Sequence, residues 1–63
     1  MDAYVVYFAN NITHSVTIVK SFTKYFEAIQ YCNERGFKVT YAKKGTFYIN
    51  AKGSYCIKTI FKR

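Results

Sequence analysis

Sixty-three residues carrying a formal charge of +7, with 51% hydrophobic and 21% aromatic side chains, exclude a disordered tail, because that apolar content demands a core. The length allows one domain, 1–63, and a domain this small buries only about 60% of the surface its unfolded chain exposes. The charge is polarised: seven basic and no acidic residues lie between Gly36 and Arg63, whereas Lys20, Lys24 and Arg35 are balanced by Asp2, Glu27 and Glu34 before it. Such a distribution points to an acidic partner and not to a particular reaction.

Residues 3–9 (AYVVYFA) are β-branched and aromatic and predict a strand. Asn10-Asn11 signals a turn, since asparagine tolerates left-handed backbone angles. Residues 14–20 then predict a second strand, with Val16 and Ile18 on one face and Ser15 and Thr17 on the other, so the first two strands form a hairpin. A helix follows. Ser21 or Thr23 can cap it, Phe22, Phe26, Ile29 and Asn33 fall along one stripe with Tyr25 and Cys32 beside it, and Arg35-Gly36 stops it. Burying Phe26 against a sheet contributes about 1.5–3 kcal/mol.

After Gly36 the period returns to two. Phe37, Val39 and Tyr41 alternate with Lys38, Thr40 and Ala42. Lys44-Gly45-Thr46-Phe47-Tyr48-Ile49 is echoed eight residues later by Lys52-Gly53-Ser54-Tyr55-Cys56-Ile57. In each copy the glycine supplies the positive φ of a three-residue hairpin loop. The expected fold is α+β, a two-layer sandwich with one helix packed on a mostly antiparallel sheet, in the order ββαβββ. Residues 3–9 could extend either edge of the C-terminal meander.

Strict alternation turns Phe37, Val39, Phe47, Ile49, Tyr55, Ile57 and Phe61 toward the helix. The other face then carries Lys38, Thr40, Tyr48, Cys56, Lys58, Ile60 and Lys62. Lys43 and Lys44 sit at one end of the sheet and Lys52 at the other. Lys38, Lys43, Lys44, Lys58 and Lys62 around Tyr48 make the expected partner-binding set, a positive field around a stackable ring. Lysines on edges and turns also block edge-to-edge aggregation. That reading leaves the missing acids unexplained, because a face kept solvated without a partner usually mixes signs.

Nothing in the chain assembles a reaction centre. His14 is the only histidine, at a strand start, without a Cys, Ser or carboxylate set around it. Glu27 and Glu34 suit pairing with Lys24 or Arg35, or hydrogen bonds to Tyr31, better than acid–base work. Cys32 and Cys56 are too few and too far apart for a zinc site. They read as buried or half-buried thiols in a reducing cytosol, with a Cys32–Cys56 bridge as the other reading. No enzyme activity, cofactor or metal is expected. Asp2 precedes the first apolar run, where a secretory leader would be basic, and no run reaches the roughly 20 residues that span a bilayer. The expectation is a soluble cytoplasmic protein without a membrane partner.

An N-terminal hairpin, the short helix ending Phe26-Glu27-Ala28-Ile29-Gln30-Tyr31-Cys32-Asn33-Glu34-Arg35-Gly36, and a Lys/Tyr-rich meander resemble, in layout, the small accessory proteins of tailed bacteriophages. The resemblance implies a protein that binds and disables host machinery from within the host cytoplasm. Many members of that group mimic DNA with acidic surfaces, which this basic chain does not. Two functions follow. The preferred one is docking of the basic, tyrosine-bearing face on an acidic host protein. The alternative is a small nucleic-acid-binding protein in which the same lysines contact phosphates. A homodimer is also open, since either exposed strand edge could pair with another copy.

Overall fold

The computed structural model describes residues 2–61, without the side chains of Asp2 and Phe61. Its elements are β1 (Asp2–Asn10), β2 (Val16–Phe22), α1 (Tyr25–Asn33), β3 (Phe37–Tyr41), β4 (Gly45–Asn50) and β5 (Gly53–Phe61), in the expected order ββαβββ. The strands form one antiparallel sheet in the spatial order β2-β1-β5-β4-β3. Of the two edges open to residues 3–9, the chain therefore uses the β5 side. The long pairing of β1 with β5, from Asp2–Phe61 to Asn10–Gly53, is the spine of the sheet.

The first hairpin turns where two asparagines announce it. Asn10 Oδ1 accepts hydrogen bonds from the backbone N–H groups of Ile12 (2.8 Å) and Thr13 (3.1 Å). His14 takes the left-handed conformation, φ 60°. Val6 pairs with Lys20 but Tyr7 pairs with Ile18, so Val19 is an extra residue on β2. That bulge twists an edge strand that is otherwise open to pairing.

The helix departs from its expected form. Neither Ser21 nor Thr23 caps it: Lys24 occupies the N-cap without a side-chain hydrogen bond, and Phe22 belongs to β2. Phe26 is 63% exposed, so the burial expected of it is not made. Ala28 and Cys32, one turn apart, are the fully buried residues instead. Small side chains on this line let the helix backbone approach β1, β2 and β5, against which it lies; a phenyl ring there would hold it off. The stop is as expected, with the N–H groups of Arg35 and Gly36 both donating to the Cys32 carbonyl at 3.0 Å.

The meander corrects the expected facing. Tyr41 pairs with Gly45 across a three-residue loop, but Asn50 pairs with Gly53 across a two-residue turn. One residue fewer in a hairpin loop reverses the faces of everything beyond it. Tyr48 therefore stands opposite Tyr55 on the helix side, with Lys38 opposite Tyr48. Phe37, Val39, Phe47 and Ile49 point away from the helix, contrary to expectation. Tyr55 and Ile57 face it as expected, both packed against the core. The facing expected of Phe61 lies outside the described side chains.

The two Lys-Gly copies also differ. Gly45 has φ 97°, and a Cβ added there would meet nothing within 4 Å, so conformation alone requires glycine. At Gly53 a Cβ would overlap the Ala9 carbonyl oxygen and lie 2.9 Å from Phe8 Cζ, so close approach of β1 and β5 requires it. The turn that precedes Gly53 is organised by Asn50, whose Oδ1 accepts from the N–H groups of Lys52 (2.8 Å) and Gly53 (3.0 Å). Asn50 Nδ2 donates to the Arg35 carbonyl at 2.9 Å and ties this turn to the end of the helix.

The core is small. Val6, Ala28, Cys32 and Tyr48 form its centre, with Tyr4, Phe22, Ile29, Tyr31, Tyr55 and Ile57 packed around them. Ring pairs extend it: Phe8–Tyr55 at 4.7 Å, Tyr4–Tyr25 at 5.4 Å and Phe22–Tyr31 at 5.5 Å between centroids. Such pairs are each worth about 0.5–1.5 kcal/mol beyond their buried area, so much of the aromatic content serves stability.

Candidate functional site on the β3–β4 hairpin

Pairing between β4 and β5 stops at Tyr48–Tyr55, whereas β3 and β4 stay paired to Tyr41–Gly45. Gly45, Thr46 and Phe47 are thus held by β3 alone, and the far half of this hairpin is a two-stranded arm. Cross-strand contacts stiffen it. The Thr40 and Thr46 hydroxyls are 3.2 Å apart on the helix side, and the Tyr41 and Phe47 rings meet edge-on at 5.8 Å on the other. Ala42, Lys43 and Lys44 form the exposed loop at its tip. Where β4 leaves β5, Tyr25, Thr46, Tyr48 and Ile57 line a hollow.

The expected binding set is divided by this geometry. Lys38, Lys43 and Lys44 are exposed on the hairpin. Tyr48 is 3% exposed, in the core, and burial pushes its phenol up, with smaller contributions from Cys32 and Tyr25. Its ring is no stacking platform. Lys58 lies on the helix-free face, since it pairs with Val5, and its Nζ stands 5.5 Å from the Tyr7 ring centroid. Lys38 and Lys58 therefore occupy opposite faces, and the single basic face expected around Tyr48 does not form. Lys62 lies outside the described residues.

The cations sort by whether the fold uses them. Arg35 stacks over the Tyr31 ring at 3.6 Å, donates to the Tyr31 carbonyl at 3.0 Å and lies 3.7 Å from Glu34. Lys20 lies over Phe22 and Lys58 over Tyr7. Among the described residues, no ring, carboxylate or side-chain hydrogen bond engages Lys24, Lys38, Lys43, Lys44 or Lys52. Three of these five sit on one hairpin. Lys52 is at the opposite end of the sheet, where its carbonyl accepts from Asn11 N–H at 2.9 Å.

The cysteines are packing groups. Both are free. Burial, reinforced by the neighbouring Cys56, pushes the Cys32 thiol up to about 11, and burial raises Cys56 despite Lys58 beside it. A thiol raised in this way is protonated at neutral pH and a poor nucleophile. No group of three metal-ligating side chains occurs among the described residues, and no helix is long and apolar enough to cross a membrane.

Tyr41 and Phe47, beside the exposed lysines, are not singled out by the sequence pattern. The available signal is Asn50: an asparagine two residues before Lys-Gly favours the tight turn that sets the facing of β4. Comparison with protein-family models, curated proteins and solved structures finds no match to this chain.

Proposed function

We propose that this protein is a non-catalytic binding module that grips an acidic surface of another protein with its β3–β4 arm. Lys43 and Lys44 at the tip supply the charge and the Tyr41–Phe47 pair supplies an apolar contact beside them, while Lys38, on the opposite face of β3, adds to the field around the arm. In keeping with the phage-accessory layout, the target is a host protein whose action is modulated or blocked in the host cytoplasm. The helix and sheet act as two layers, one stabilising the other, while the arm parts from β5 beyond Tyr48–Tyr55.

The observation that carries this reading is the concentration on one projecting hairpin of cations the fold does not otherwise use. Tyrosine is a favoured interface anchor, and complementary charge raises association rate. Lys58 contributes to the field that steers an acidic partner in, not to a shared contact face with Lys38. Burial of Tyr48 weighs against nucleic acid as the ligand, because it removes the ring on which bases would stack.

The test is an affinity pull-down from nuclease-treated bacterial lysate. Wild-type protein should recover one partner in stoichiometric amount, and the double variant Lys43→Glu, Lys44→Glu should lose it. Recovery only in lysate that retains nucleic acid, or equal recovery by the charge-reversed variant, would overturn the proposal.

A further inference from the structure

We infer that the helix-free face of the sheet is the contact surface between two copies of this chain. Registers place Val16, Ala9, Ser54, Ile49 and Phe37 in one row across all five strands, without a charge. The next row, Ile18–Tyr7–Cys56, continues the same surface. Among the described residues no helix or strand packs across these two rows; Val5, further along β1 on the same face, is buried. Phe37 is 83% exposed, Ile18 68% and Val16 64%.

Area supports a second copy. The chain exposes 4909 Å², whereas a compact monomer of 7.4 kDa is expected to expose about 4,200 Å². The excess, about 700 Å², is close to the roughly 800 Å² that each partner contributes to a standard interface. A core of few buried side chains gives the same indication, since association is one of the ways domains of this size gain stability.

Charge placement selects the occupant. Among the described residues, Lys58 is the one cation that the pairing puts on this face; Lys20 and Lys38 point to the helix side, and Lys43, Lys44 and Lys52 lie in turns. An acidic partner would find little to pair with here. A two-fold contact buries the same patch from each copy, and one centred near Ser54 keeps the ammonium groups apart. The Lys58 backbone is four residues further along β5, about 13 Å at 3.3–3.4 Å per residue, and its ammonium reaches back over Tyr7, so it borders the second row and leaves the Ser54 row free of charge. The dimer would carry two basic arms, but it does not rest on their function.

Sedimentation equilibrium over a wide concentration range tests this. Wild type should have twice the 7.4 kDa chain mass. Ile18→Asp and Phe37→Asp, both at exposed positions, should each halve it while the far-ultraviolet circular dichroism stays that of the folded chain. Phe26→Asp, on the outward side of the helix, and Lys43→Glu should leave the mass unchanged. A wild type that is monomeric at every concentration overturns the inference. So does a dimer that survives both face substitutions, which would assign association to strand edges. A monomer that floats with anionic phospholipid vesicles would assign the face to lipid and overturn it equally.

Discussion

Replacing Gly53 with alanine should be among the most damaging single-methyl additions to this protein. The new Cβ would overlap the Ala9 carbonyl oxygen, a backbone atom of β1, and sit 2.9 Å from Phe8 Cζ. The phenyl ring can rotate away, but the carbonyl cannot without shifting the β1–β5 pairing. Overpacking of a well-packed site typically costs 1–3 kcal/mol, and a clash with backbone belongs at the upper end, about 3 kcal/mol. A 63-residue domain has a total stability of roughly 3–9 kcal/mol, so a third or more would be lost. Gly45→Ala is the matched control, because it adds the same methyl after the same lysine. Its cost is conformational only, about 1–2 kcal/mol for a left-handed residue. Urea unfolding at one fixed protein concentration reads both, and with a slope near 1 kcal/mol/M the two midpoints should differ by about 1 M or more. Equal midpoints, or a Gly53→Ala protein more stable than Gly45→Ala, would refute the close approach of β1 and β5.

Tyr48→Ala should cost about 3–5 kcal/mol, as for other buried aromatics, whereas Phe26→Ala should cost less than about 1 kcal/mol because its ring is largely in water; thermal melts of the two variants check the contrast, and a reversed order would contradict the facing. The buried Cys32 thiol predicts a loss of stability at alkaline pH. Its folded pKa, about 11, lies above the unfolded value of 9.0, so the unfolded state releases its proton first. The contribution is complete below pH 9 and is lost as pH rises toward 11. Urea midpoints measured across that interval should fall for wild type and fall less for Cys32→Ala; parallel declines would show that the thiol is not buried.

The legible part of the fold is the part written in local chemistry. Alternating β-branched and aromatic residues mark β1 and β2, Asn10 marks their turn, and Arg35-Gly36 marks the helix end. Cys56, Lys58 and Ile60 fall on the expected face because β5 alternates cleanly. The helix stripe differs from expectation because hydrophobicity alone favours Phe26, while the packing distance to a sheet favours Ala28 and Cys32. The site differs through Phe47-Tyr48-Ile49, which is apolar on both faces and so carries no period. Its orientation depends on whether the loop before β5 has two residues or three, and the Lys-Gly repeat suggests that both loops are alike. The consequence is large. Lys38 and Lys58 separate onto opposite sides, Tyr48 leaves the surface, and an uncharged row replaces the expected basic face. Lys43 and Lys44 are unaffected for another reason than Lys58: a loop tip is exposed whichever way its strands face.

Both the projecting arm and the uncovered sheet surface depend on which aromatic of β4 meets the helix. Nuclear Overhauser contacts from the Tyr48 and Phe47 rings decide it. The structure requires contacts from the Tyr48 ring to the side chains of Val6, Ala28 or Cys32, and from the Phe47 ring to Tyr41 and to none of those three. Contacts from Phe47 to Ala28, with none from Tyr48, would contradict it.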